Sequence, residues 1–173
     1  PSPPADLRPR TAPLPFGGRG LRDRAIRLLG LAGSLRRAEI VGLDIAPNST
    51  ADTLGWITIL EPGLVITLRS KSGWRDIEIG RGSSDQTCPV TAVETWLEFA
   101  KVKSGPLFVR TSRDGSHALE SRLTDKHVAR LIKSTVCDGG IRSDLAEKDR
   151  LALYSTKSLQ TGLAASTGID TRC

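Results

Sequence analysis

Aromatic side chains are scarce in this chain: Trp, Phe and Tyr together make up 4% of its 173 residues. Too few flat rings are present to build a platform on which unpaired bases stack, so single-stranded nucleic acid is a poor candidate for the main ligand. Cysteine is as thin. Cys88, Cys137 and Cys173 are odd in number and far apart, and no Cys-x-x-Cys pair offers a disulfide framework or a structural zinc site. The two histidines, His117 and His127, stand at no recurring ligand spacing from Cys137, so neither a metal nor a cofactor is expected. No apolar run approaches the ~18 residues of a membrane span, and the proline-rich start lacks the apolar core of a signal peptide. These absences predict a soluble protein of the reduced cytoplasm.

What the chain does carry is positive charge. Lys and Arg number 25 against 19 Asp and Glu, a net +6, and the pI is near 9.7. Such an excess favours a polyanionic partner, because each phosphate neutralised by a cation releases condensed counterions. A chain of 173 residues fits one domain with a true core.

Residues 1–20 hold Pro1, Pro3, Pro4, Pro9, Pro13 and Pro15, then Gly17, Gly18 and Gly20, and read as an arm or linker. From Leu21 to about Ala32, Ala25, Ile26, Leu28, Leu29 and Ala32 recur at helical spacing, with Arg22, Asp23, Arg24 and Arg27 mostly on the opposite face. Gly33 and Ser34 break the pattern, and Leu35 to Leu43 resumes it as a second short helix. Residues 56–60, 64–68 and 75–79 are β-rich runs joined by Glu61-Pro62-Gly63 and by a turn carrying Lys71, a three-stranded antiparallel meander. Pro89 opens an amphipathic helix to Ala100. Residues 110–122 read as a loop. Thr124 caps a helix striped by Val128, Leu131, Ile132 and Val136, and a last helix starts near Thr156. The order predicts an α+β fold, mostly α, with a small three-stranded antiparallel sheet at one side.

The chemistry concentrates in Gly33-Ser34-Leu35-Arg36-Arg37-Ala38-Glu39-Ile40-Val41-Gly42-Leu43, where two guanidiniums and a carboxylate stand at a break between helical segments. Far downstream, Lys157-Ser158-Leu159-Gln160 opens a helix with an ammonium and an amide. Together with Lys71 in the sheet turn and the segment from Thr87 to Leu97, these pieces, in this order, resemble the catalytic domain of the tyrosine recombinase (phage integrase) family over about residues 21 to 170. The resemblance implies a helical catalytic domain at residues 21–173, duplex DNA as partner, and DNA integration or recombination through a tyrosine that attacks a phosphodiester without any metal. It maps Arg36 to the family's first catalytic arginine, Lys71 to the hairpin lysine that protonates the leaving 5′ oxygen, and Lys157 and Gln160 to its His-x-x-Arg element. Arg36, Arg37, Lys71 and Arg75 would contact DNA, and Glu39 would orient nearby donors. Copies of itself or full-length recombinase subunits are further expected partners.

Departures from the family pattern touch the reaction. Lys157 stands for the histidine and Gln160 for the second arginine, and losing one such charge-stabilising donor costs on the order of 3 kcal/mol, ~100-fold in rate. Tyr154, the single tyrosine, precedes the Lys157 element instead of following it. The expectation is a chain that binds DNA as a partial catalytic domain, lacking the C-terminal segment that carries the nucleophilic tyrosine, and is inactive by itself. A reading from a different class is a helix-turn-helix regulator using residues 25–33 and 35–44 across Gly33-Ser34, whose glycine-bearing break suits that motif.

Overall fold

A computed structural model of the chain describes residues 17–47 and 50–138, with Ala146 and Lys148. The proline-rich arm through residue 16, Tyr154, and the Lys157 and Gln160 element lie outside the described residues. Ten elements follow in order: α1 (Gly18–Ala32), α2 (Arg37–Val41), β1 (Leu43–Asp44), β2 (Gly55–Leu60), β3 (Gly63–Ser70), β4 (Gly73–Gly80), α3 (Pro89–Ala100), β5 (Val109–Thr111), β6 (Ala118–Arg122) and α4 (Asp125–Asp138).

Helix α1 buries Leu21, Arg22, Ala25, Ile26 and Leu29, the i, i+3, i+4 stripe of an amphipathic helix. It starts at Gly18, three residues ahead of the expected Leu21, inside the glycine-rich end of the arm. The reason is contact: a Cβ on Gly18 would sit within the ring of Phe99, so only glycine lets α1 close on α3 at that point. One residue of the expected polar face is reversed. Arg22 is 2% exposed, and its burial is compensated by Asp23, which accepts from its Nε and Nη2 at 2.9 and 2.8 Å.

The sheet corrects the expected three-stranded antiparallel meander. It has four strands in the order β1-β2-β3-β4, and β1 pairs with β2 in parallel through Leu43↔Gly55 and Asp44↔Trp56. The meander itself is present, with Trp56↔Thr67 and Leu68↔Arg75 fixing its register. The extra strand takes the end of the expected second helix, which shrinks from residues 35–43 to Arg37–Val41. Residues 110–122 are likewise not a plain loop but mostly a two-stranded hairpin, β5 against β6. The α+β class stands.

One face of the sheet contributes Ile57, Leu64, Ile66, Leu68 and Ile79 to the same buried cluster as α1, Val90, Val93 and Trp96 of α3, and Val128, Leu131 and Ile132 of α4. Trp96 is fully buried, and its indole Nε1 donates to the carbonyl of Leu107 at 2.9 Å, so the ring fills the core without an orphaned donor. Asp44, 0% exposed, accepts from Arg122 Nη2 at 2.7 Å and from Thr50 Oγ1 at 2.7 Å. Arg122 Nη1 also reaches the Val41 carbonyl at 2.7 Å, which ties β6 to the junction of α2 and β1.

Candidate functional site

The arginine turn is built by the way α1 ends. Leu35 N–H donates to Gly30 O at 3.0 Å and Ser34 N–H to Leu31 O at 3.2 Å, the two bonds of a Schellman cap. Ser34 takes the left-handed conformation this cap needs, φ 50°, although glycine is its neighbour at Gly33. Leu35 then drops into the core at 2% exposure. Because Leu35 on one side and Ile40 on the other are buried, Arg36 between them is held at the surface in extended geometry, φ −78°, ψ 158°, as the residue that opens α2.

Glu39, one turn on, does two things with one carboxylate. Its Oε2 accepts the Arg36 backbone N–H at 2.7 Å, the acidic half of a capping box; the reciprocal half needs an acceptor at Arg36, which a guanidinium lacks. Its Oε1 accepts from Arg75 Nη2 at 2.9 Å. Arg75 stands on β4 opposite Leu68, on the core-facing side of the sheet two residues from the turn that closes the hairpin. One anion therefore anchors a guanidinium from β4 beside the backbone that carries a second guanidinium.

Neither Arg36 nor Arg37 has a side-chain partner among the described residues, and the Arg36 side chain is exposed. Lys71 and Ser72 form the two-residue tip between Ser70 and Gly73, where Ser70 Oγ donates to Gly73 O at 2.8 Å and the positive φ falls on Gly73 at 122°. Lys71 is exposed and unpaired among the described residues. It lies about 10 Å along the hairpin from Arg75 at the usual rise per strand residue. Arg36, Glu39 and Arg75 thus meet in one cluster, with Lys71 at the tip of the same hairpin, and Lys157 and Gln160 lie outside the described residues.

Chemically, such a cluster offers planar donors to an oxyanion. A guanidinium that is exposed and lacks a carboxylate partner can give two parallel N–H bonds to a phosphate, which lysine or glutamine cannot copy. Among the described residues no group of three His, Cys, Asp or Glu side chains is arranged to hold a metal. No described helix is long and apolar enough to cross a membrane.

Sequence reasoning found the Arg36 turn but missed the burial of Arg22 near the other end of α1, against Asp23 and His127. Its one visible signal was the Arg22-Asp23 dipeptide, which charge alone assigned to solvent.

Comparison with known proteins finds that the chain is similar to an integrase/recombinase. The relative is described as an "Integrase/recombinase xerD homolog" from Selenomonas ruminantium, 29% identical over 152 residues, covering 85% of this chain and 39% of that protein. The chain therefore spans about two-fifths of the length of the relative it matches, 39%. No family model matches the chain.

Proposed function

We propose that this chain is a DNA-binding scaffold of the site-specific recombinase type, with the region from residue 21 onward serving as the catalytic part. The observation that carries the reading is the pairing of an exposed Arg36 guanidinium, without a side-chain partner among the described residues, with an Arg75 guanidinium fixed by Glu39. A backbone phosphate seated there is clamped by Arg36, with Arg75 beside it and Arg37 on the flank. Lys71 is the proton donor to the leaving 5′ oxygen, and Glu39 is a positioning residue. Similarity to a recombinase over 85% of the chain supports the same reading.

Lys157 and Gln160 complete the site in this proposal. An amide at residue 160 leaves the developing phosphoryl charge one cation short, and the one tyrosine of the sequence, Tyr154, precedes this element, so strand cleavage is abolished or supplied by another subunit. Restoring the charge with Gln160→Arg should tighten duplex binding and raise the salt slope by about 1. Fluorescence anisotropy on duplex DNA across a salt series reads this out directly, and equal affinity and slope for the two proteins would remove Gln160 from the site.

The helix-turn-helix alternative loses ground on geometry. Its second helix, α2, is five residues long, about 7 Å, with Ile40 turned into the core, too short to present several side chains to a major groove. Lys71→Ala separates the two readings by fluorescence anisotropy on duplex DNA. It weakens binding and lowers the salt slope by about 1 if the hairpin lies on phosphate. It changes neither if only the two-helix unit binds.

A further inference from the structure

At the opposite end of α1 from Arg36, a cavity of about 490 Å³ opens between the start of that helix, the β5–β6 hairpin and the first turns of α4. Its lining includes Arg19, Arg22, Arg110, Thr124, His127 and Arg130, and no carboxylate among the described residues. Four guanidiniums around one hollow repel one another unless something answers their charge.

Among the described residues, one of them is answered by a carboxylate. Arg22 gives two bonds to Asp23 Oδ1 at 2.9 and 2.8 Å and a third to the Val109 carbonyl at 3.3 Å, which neutralises the inner wall. Its Nη2 also lies 2.8 Å from His127 Nε2. A guanidinium has donors only, so His127 must accept there, and its ring is neutral with the proton on Nδ1. The other three cations are exposed and largely unspent. Arg19 gives one bond to the Arg113 carbonyl at 3.2 Å, and Arg130 gives only its Nε, to Lys126 O at 3.4 Å. The Arg110 side chain has no partner among the described residues. Thr124 stands just ahead of the first residue of α4, and Arg19 is the second residue of α1, so the lining comes from near the starts of two helices.

We propose that this cavity is a phosphoryl-binding site, in which Arg19, Arg110 and Arg130 take the oxygens of a phosphate group and the Arg22–Asp23–His127 wall holds the arrangement. The ligand is a phosphate mono- or diester, either a backbone phosphate of bound nucleic acid or a free phosphate compound. The scarcity of rings in the lining assigns recognition to the phosphate and not to a base. The site is distinct from the Arg36 turn, since α1, 15 residues long, spans about 22 Å between them. It does not depend on the recombinase reading.

Two measurements on the full chain test it, using Arg110→Gln/Arg130→Gln, whose side chains are exposed, with unchanged thermal unfolding as the check on folding. The first is calorimetric titration with pyrophosphate. The second is anisotropy with duplex DNA across a salt series. A free-phosphate site gives pyrophosphate binding that weakens at least tenfold in the double variant. A backbone-phosphate site gives weaker duplex binding and a salt slope reduced by about 1 for each phosphate lost. Arg36→Ala is the control: it lowers duplex affinity if the recombinase reading holds and leaves pyrophosphate binding intact. If pyrophosphate fails to bind and the double variant keeps the wild-type duplex affinity and salt slope, the cavity is not a phosphoryl site, whatever Arg36→Ala does.

Discussion

Three side chains carry consequences that single substitutions expose. Asp44 is 0% exposed and depends on Arg122 and Thr50 for its hydrogen bonds, so Arg122→Ala leaves a buried carboxylate with one partner. Breaking a buried pair from one side costs about 3–5 kcal/mol, and the urea midpoint should fall accordingly. A loss below 1 kcal/mol would mean that water replaces the guanidinium. His127 makes stability depend on pH. Burial, and then the Arg22 guanidinium, hold its imidazole below the ordinary value, with Asp23 opposing them. The unfolded chain therefore binds a proton at higher pH than the native one, so this contribution is whole above about pH 6.5 and is lost as pH falls below it. Between pH 7.5 and 5.5 the urea midpoint should drop for the natural chain and drop less for His127→Gln; parallel slopes would dismiss the histidine. Glu39→Ala discriminates positioning from charge. Removing an anion strengthens DNA binding by simple electrostatics, whereas loss of the anchor for Arg75 and Arg36 weakens it, and weaker duplex binding in anisotropy is expected.

At the scale of elements, close backbone approach sets the limits. A Cβ on Gly63 would collide with the Ile79 carbonyl oxygen across the β3–β4 ladder. Gly63→Ala should part those strands and cost about 1–3 kcal/mol, checked by chemical denaturation. Long periodic segments were legible in the sequence: the apolar stripes of α1, α3 and α4 and the β-rich runs of β2 to β4 come from local patterning alone. Two elements were not. Strand β1 is two residues long and exists only through its parallel partner β2, so no alternation announces it. Strand β6 has the burial order intermediate, exposed, exposed, exposed, intermediate, which reads as loop to any rule based on period. In the candidate site, the Arg36 and Glu39 spacing was readable as a helix start. The Arg75 partner was not, because 36 residues separate it from Glu39. Arg22 deceived for a related reason: its counter-charge comes from the next residue, so it enters the core already paired.

For the whole molecule, the net charge of +6 is not spread evenly over function. Several cations are spent on structure, as in Arg122 with Asp44 and Arg81 with Glu94. The exposed Arg81–Glu94 pair illustrates how little such charge does for the fold: Glu94→Ala should change stability by no more than about 1 kcal/mol. Among the described residues, the cations without a carboxylate partner include Arg36, Arg37 and Lys71 at one end of α1 and Arg19, Arg110 and Arg130 at the other, and these are available to a polyanion. If about four phosphates are neutralised, duplex affinity should fall on the order of 100-fold between about 50 and 200 mM salt.

The carboxylate shared by the start of α2 and by β4 makes Glu39 a single pin through two parts. A load applied to the hairpin, as when an anion draws its arginine outward, is passed to the backbone that aims Arg36, and a shift of α2 is passed back to the strand. The two guanidiniums respond as one mechanical unit, so truncating both costs less than the sum of truncating each.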